Sequence, residues 1–503
     1  MLLISYLKST TGNMSVMLAL ASVVVIGGAG VAVDYSRKLD WETQLQAAVD
    51  GAALAAANAD DDSRKKTAKR YFEANFKPGD DVDVRKLKTE VSGDRVTVTA
   101  DIDIKASLMA AVGFPKMKGT ALGAASISDK ELEVVLVLDV SGSMRHGLGG
   151  SARIDVLKAS AQKLVDIISD NGSAMSKVKV GIVPFNMNVN VGTANTAFVK
   201  DTGDALFVGQ AWAGCVLERA GTGATSDTYS GGSGVDGKWQ AYIWPPEPNS
   251  NGSCTVPSDG SNSGYSRLDP PDGHVVGLQG PNYNCVRHAI MPLSDSYTDI
   301  TSKIASLTAE WNMGTIIAPG VSWGMRVLSP SAPFKEGRAA SSRVTKYMVV
   351  LTDGEQTTEA EYNSGKCSGA TNTSVGYSYD PSQYGLAGKK LSTAPRDMFS
   401  AYGYIMDSDP FGSSPSDWDD VRSDLFKIST SACKRAKGSK PSEATRIFTI
   451  AVSADAGPGT TTYDLLNDCA SSGKDFYMAT NADQLQDAFE AIANEIKDIR
   501  LVQ

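Results

Sequence analysis

Three oxygen-bearing side chains at alternate positions, Asp139, Ser141 and Ser143, close an apolar run, ELEVVLVLDVSGS (Glu131 to Ser143). Carboxylate and hydroxyl oxygens are hard donors, so the chemistry they suit is the holding of Mg2+ or a similar divalent cation such as Mn2+ or Ca2+. The D-x-S-x-S spacing sends alternate residues to one side of a turn and lets the three oxygens converge. A further carboxylate, Asp353, follows a second apolar run, TKYMVVL, within Thr352-Asp353-Gly354-Glu355. Each piece alone is short and built of common residues. The competing reading is that the serines cap the following helix and that Asp353 is a turn residue before Gly354.

The elements that must position these oxygens are legible as a repeating pattern. Leu132, Val134, Val135, Leu136, Val137 and Leu138 are apolar on both faces, which reads as a central strand of a covered parallel sheet. Open α/β sheets place ligand sites at the carboxyl ends of such strands. Further strands are expected at Val178 to Phe185, Thr345 to Leu351, Arg446 to Val452 and Asp475 to Met478. Helices are expected at Ser151 to Asp170, Asp295 to Trp311, Gly314-Thr315 to Leu328, Val421 to Lys437, Tyr463 to Ser471 and Ala482 to Ile499. Strands alternating with helices of these lengths imply an α/β fold, a doubly wound and mostly parallel sheet spanning residues 131–503. Two irregular insertions interrupt it, at about 200–290 and 356–418. Trp239, Tyr242 and Trp244 in the first are read as that insertion's own small core, with a sugar-binding or partner surface as the alternative.

Upstream, residues 1–13 form a short tail, and Met14 to Val33 is a charge-free apolar stretch of 20 residues. As a helix it is about 30 Å long, the thickness of a hydrocarbon core. It reads as a retained transmembrane anchor; a cleaved signal peptide is the alternative, against which stand the length of the run and its nearly uncharged start. Residues 34–130 follow as a helix running from Leu39 to Phe76, stopped by Pro78-Gly79, and a small antiparallel sheet. In that sheet Val96, Val98, Ala100, Ile102 and Ile104 face one way, and Ser92-Gly93-Asp94 is a turn. The layout is that of a pilin-like α+β module, or a stalk with a spacer.

A net charge of −9 argues against a large nucleic-acid surface. The six cysteines are dispersed without C-x-x-C or a neighbouring histidine, so zinc ligation is not expected. Behind a membrane-insertion signal they suggest disulfides, Cys433 with Cys469 first because the two flank one strand; buried free thiols are the alternative. Gly320-Val321-Ser322-Trp323-Gly324 matches the nucleophile elbow of hydrolases. That elbow needs a histidine later in the chain, whereas His146, His274 and His288 all precede Ser322, and Ser322 falls in an expected helix. Ser141 also stands where a D-x-D phosphohydrolase has its second aspartate, and no P-loop with lysine is present. No catalytic residue is therefore expected, and the chain reads as a binding protein rather than an enzyme.

DVSGS after a strand, a threonine after glycine at a helix start (Gly314-Thr315) and TDGE after a second strand together resemble the von Willebrand factor A domain and its metal-ion-dependent adhesion site. The resemblance implies that Ser141, Ser143 and Thr315 hold the metal directly or through water, and that Asp139 and Asp353 act mainly through water. It implies a shell left open for a partner's carboxylate. The stretch GNMSVMLALASVVVIGGAGVAVDYSRKLDWETQLQAAVDGAALAAA is similar to the anchor of TadE/TadG-like Flp pilus-assembly proteins, and its combination with an A domain resembles the TadG type. Met17 stands five residues after Gly12, where prepilin processing would want glutamate, so that cleavage is not implied. The family implies a single-pass bacterial inner-membrane protein, mostly periplasmic, engaging a protein partner in tight-adherence pilus assembly. A secreted or surface adhesin for host or matrix ligands is the alternative.

Overall fold

The structure, a computed structural model, describes residues 10–59, 63–92, 95–126, 131–203, 207, 211–232, 234–244, 280–310, 314–339, 344–354, 356–357, 370–372, 377–379, 399–405, 410–438 and 445–502. It divides into two compact units, Met1–Asp129 with Arg500–Gln503, and Lys130–Ile499.

The first unit is organised by one helix, α1 (Thr10–Ala57), of 48 residues. Its early apolar side chains are exposed, Met17, Val24 and Val25 to about 70 %. It is long and apolar enough to cross a membrane. Later the same helix becomes one-sided, and Leu45, Val49, Ala52, Ala53 and Ala56 are buried. They pack on an antiparallel sheet of β1 (Val82–Ser92), β2 (Arg95–Lys105) and β3 (Lys116–Ser126). The buried face of β2 is the alternating set Val96, Val98, Ala100, Ile102 and Ile104, as its pattern predicts. The helix expected from Leu39 to Phe76 is two helices: α1 ends at Ala57 and α2 (Arg64–Asn75) begins after Asp60-Asp61-Asp62. Adjacent like charges on residues of low helix propensity favour a break there.

The second unit is built on a ten-stranded sheet. In chain order its strands are β4 (Glu131–Asp139), β5 (Val178–Phe185), β6 (Val189–Asn190), β7 (Val199–Lys200), β8 (Cys215–Leu217), β9 (Trp239–Ala241), β10 (Met291–Ser294), β11 (Val344–Thr352), β12 (Thr445–Val452) and β13 (Phe476–Ala479). The spatial order is β13-β12-β11-β4-β5-β6-β8-β9-β7, with β10 also paired to β5. The five strands from β13 to β5 are mutually parallel, with β4 between β11 and β5. Helices α3 (Arg153–Ser169) and α4 (Tyr297–Ser306) pack together, as do α5 (Ile317–Leu328), α6 (Trp418–Lys437) and α7 (Thr461–Cys469). The last helix, α8 (Ala482–Val502), buries Leu485, Ala488, Phe489, Ile492 and Ile496. The fold is the expected α/β sheet, parallel at its centre.

Three expectations are corrected. The insertion at about 200–290 is partly sheet, because the triplets of β8 and β9 are too short to show a period but still add to the edge. Its aromatics share the main core rather than forming their own: Trp239 lies 4.9 Å from Trp323 of α5, and both are buried. The helix from Asp295 contracts to α4, beyond which the Glu310 amide donates to the Val140 carbonyl at 2.7 Å. Cys433 and Cys469 form the expected disulfide, and Cys215 pairs with Cys285. Cys254, Cys367 and most of the 356–418 insertion lie outside the described residues.

Candidate metal centre

Asp139 is the last residue of β4 and is fully buried. Its neighbours fix both carboxylate oxygens. Oδ1 accepts from the Ser141 amide at 2.8 Å, which closes the turn, and Oδ2 accepts from Thr352 Oγ1 at 2.6 Å. Thr352 reaches it because β11 runs parallel to β4, with Leu351 beside Leu138, so the next residue of each strand meets at the rim. Burial, and then the negative charge of nearby Asp353, push the Asp139 carboxyl up to about 7.

The two serines continue the chain of oxygens. Ser141 Oγ and Ser143 Oγ are 3.1 Å apart, and Ser143 Oγ donates to Asp353 Oδ1 at 2.6 Å. Asp353, one residue past β11, is also fully buried. Its Oδ2 accepts from Arg153 Nη1 at 2.8 Å, and its carbonyl accepts from Ser453 Oγ at 3.1 Å. Arg153 Nη2 reaches Asp455 Oδ2 at 3.1 Å. Four expected site residues, Asp139, Ser141, Ser143 and Asp353, thus form one hydrogen-bonded cluster at the carboxyl ends of β4 and β11.

Thr315 is tied to the same rim by its backbone. It exchanges hydrogen bonds with Thr357, at 2.7 and 3.0 Å, and the next amide, of Ile316, donates to the Asn186 carbonyl beyond β5. No hydrogen bond links it to the other four among the described residues. It does not begin the helix, which starts at Ile317; β-branched Thr315 and Ile316 favour the extended bridge, and Pro319 sits in the first turn where its missing N–H costs nothing.

Arg153, Thr352 and Ser453 are the residues that spacing does not reveal. A cation opening the helix after the D-x-S-x-S loop is the available signal for Arg153. For Thr352 it is the register of two parallel strands ending in aspartate. Among the described residues no three His, Cys, Asp or Glu side chains gather as a metal cluster. The donors here are two carboxylates with hydroxyls, a set that suits a hard divalent ion and not zinc on nitrogen or sulfur. Ser322 lies inside α5, fully buried, so the strand-turn-helix of a nucleophile elbow is absent there.

Residues 12–59 match the family model "Putative Flp pilus-assembly TadE/G-like". The N-terminal part of the chain is therefore similar to TadE/G-like pilus-assembly domains. No curated protein matches the chain. Among solved structures it is similar to the pilus adhesin SpaC from Lactobacillus rhamnosus GG, with 14 % identity over 84 % of this chain and a TM-score of 0.32. The chain spans only 36 % of SpaC. The vWF domain of the type V pili tip protein Mfa5 from Porphyromonas gingivalis matches at 14 % identity over 74 % of this chain and 97 % of that one, with a TM-score of 0.34. Proximal thread matrix protein 1 of the mussel byssus, with a zinc-occupied MIDAS motif, matches at 11 % identity over 74 % and 46 %, with a TM-score of 0.28. These likenesses are weak, and the reading of the site rests on its own side chains.

Proposed function

We propose that this is a membrane-anchored periplasmic protein of Flp pilus assembly, whose second unit binds a protein partner through a divalent cation, Mg2+ in the first place. Asp139, Ser141, Ser143, Asp353 and Thr315 would hold the ion. The bound ion would supply an open coordination position for a carboxylate of a pilus-assembly component. The reading is carried by one observation, the gathering of four oxygen-bearing side chains from two separate strand ends. Among the described residues two buried carboxylates share that cluster with one buried cation, Arg153, and burial together with the charge of Asp353 holds the Asp139 carboxyl up. The TadE/G-like match supports the pilus context and the helix α1 supports the anchor. The test is calorimetric titration of Mg2+ into the detergent-solubilised chain, beside Asp139→Asn. Asn keeps the shape and the acceptor for the Ser141 amide but removes the charge. Mg2+ heat in the parent and none in the folded variant is expected. Equal binding by both would remove the site from these residues.

A further inference from the structure

Between β2 and β3 the chain makes a ten-residue loop, Ala106–Pro115, without a single charged side chain. It is fastened to α1 just where the apolar run ends. Asp34, fully buried, accepts from the amides of Ser107, Leu108 and Met109 at 3.1, 2.8 and 2.7 Å. One helical turn on, Arg37 Nη1 donates to Ser107 Oγ at 2.6 Å. One turn earlier, Gly30 lets the loop close in: a Cβ there would lie 2.7 Å from Leu108 Cβ. Gly30, Asp34 and Arg37 thus form one stripe of the helix at i, i+4 and i+7, and the loop lies along it. Gly30 belongs to the apolar stretch, about 5 Å before its end at Val33 at 1.5 Å per residue.

The loop therefore reaches back to the level of the membrane-spanning residues while leaving large apolar groups uncovered. Leu108 is 49 % and Phe114 60 % exposed. Lys105, which donates to the Asp80 carbonyl, and Lys116, ion-paired with Asp103 at 3.6 Å, flank it, and Lys118 comes two residues later. We propose that Ala106–Pro115 enters the headgroup–acyl boundary of the bilayer that α1 crosses, with Leu108 and Phe114 inserted. The first unit then rests on two apolar elements, and the Asp34 bonds fix the angle between helix and loop. The proposal rests on the reading of α1 as a transmembrane anchor.

The experiment uses the full chain in vesicles of phosphatidylcholine and phosphatidylglycerol, with and without brominated acyl chains. Three single tryptophan additions are compared: Phe114→Trp in the loop, Met17→Trp in the anchor and Val91→Trp at the opposite end of β1. Loss of the added emission with brominated lipid for Phe114→Trp and Met17→Trp, but not for Val91→Trp, is expected. Quenching of Met17→Trp alone keeps the anchor and overturns the loop insertion. Quenching of neither overturns the anchor and the insertion with it. Quenching of all three overturns the insertion as a specific contact.

Discussion

Arg153, the first residue of α3, donates to Asp353 across 200 residues of sequence, at 2.8 Å and with both side chains shielded from solvent. The ion pair bridges the helix after the D-x-S-x-S loop and the strand end carrying the second carboxylate. Its second nitrogen continues to Asp455, in the loop after β12. Three loops at the sheet rim are thereby held by one guanidinium.

Removing that cation leaves Asp353, in the metal-free protein, buried beside Asp139 without its ion-pair partner. Arg153→Met is expected to cost about 3–5 kcal/mol, the usual penalty for an orphaned buried charge. Arg153→Lys recovers only part, because an ammonium cannot reach two carboxylates with the planar fork. Urea unfolding followed by tryptophan emission reports on the right unit, since six of the seven tryptophans, all but Trp41, belong to it. Should Arg153→Met unfold at the wild-type midpoint, the ion pair has no weight in the folded state.

The site is legible in the sequence as far as strand ends carry it. A run such as Leu132 to Leu138 announces a buried strand, and parallel strands bring the residues past their carboxyl ends to one rim, so Asp139 and Asp353 are bound to meet. Arg153 stays hidden because a helical pattern weighs the apolar face and assigns cations to solvent. Thr315 shows the complementary failure. A glycine-threonine pair before an apolar stretch reads as a helix start, but its pairing with Thr357 depends on a loop whose position periodicity cannot supply. The triplets Cys215–Leu217 and Trp239–Ala241 become strands only because the edge at β6 is available to pair with.

Glu310 gives the second unit a pH dependence of known sign. Burial pushes its carboxyl up to about 7, although the Arg287 amide donates to it and the Arg287 guanidinium is ion-paired with it at 3.2 Å. The unfolded chain releases this proton near 4.5 and the folded protein only near 7, so the folded state binds more protons in between. Stability contributed here is present below the lower value and falls as pH rises through the window. Glu310→Gln removes this dependence, and at pH 8 the variant should be more stable than wild type by roughly 3 kcal/mol, with little difference at pH 4. Paired urea titrations at the two values check it. A wild type and variant that differ equally at both pH values would show that Glu310 does not hold a proton in the fold.

The Cys433–Cys469 disulfide joins α6 to the end of α7 with a sequence separation of 36. Closing a loop of that length in the unfolded chain is worth about 3–4 kcal/mol. The double variant Cys433→Ala with Cys469→Ala is expected to lose that much, and reduction of the wild type, which also opens Cys215–Cys285, should lower its midpoint further. An unshifted midpoint on reduction would mean that the closure does not restrict the unfolded ensemble.

The match to a nucleophile elbow at Gly320-Val321-Ser322-Trp323-Gly324 has a packing explanation. The two glycines stand one turn apart on α5, against the central strands. A Cβ on Gly320 would come within 2.8 Å of the Phe185 ring and 3.0 Å of Val137, and one on Gly324 within 2.7 Å of Val137 and 3.1 Å of Met348. Both positions are glycine because helix and sheet approach too closely for a methyl group. Ser322 Oγ, between them in sequence, is buried without a hydrogen-bond partner among the described residues. The two kinds of residue should therefore respond with opposite sign. Gly324→Ala forces β4 and α5 apart and is expected to cost about 1–3 kcal/mol. Ser322→Ala removes an unsatisfied hydroxyl and should be neutral or stabilising by up to about 1 kcal/mol, with Mg2+ binding unchanged. A reactive serine predicts another pattern, in which labelling by a fluorophosphonate probe disappears in Ser322→Ala; labelling that behaves so would overturn the packing account.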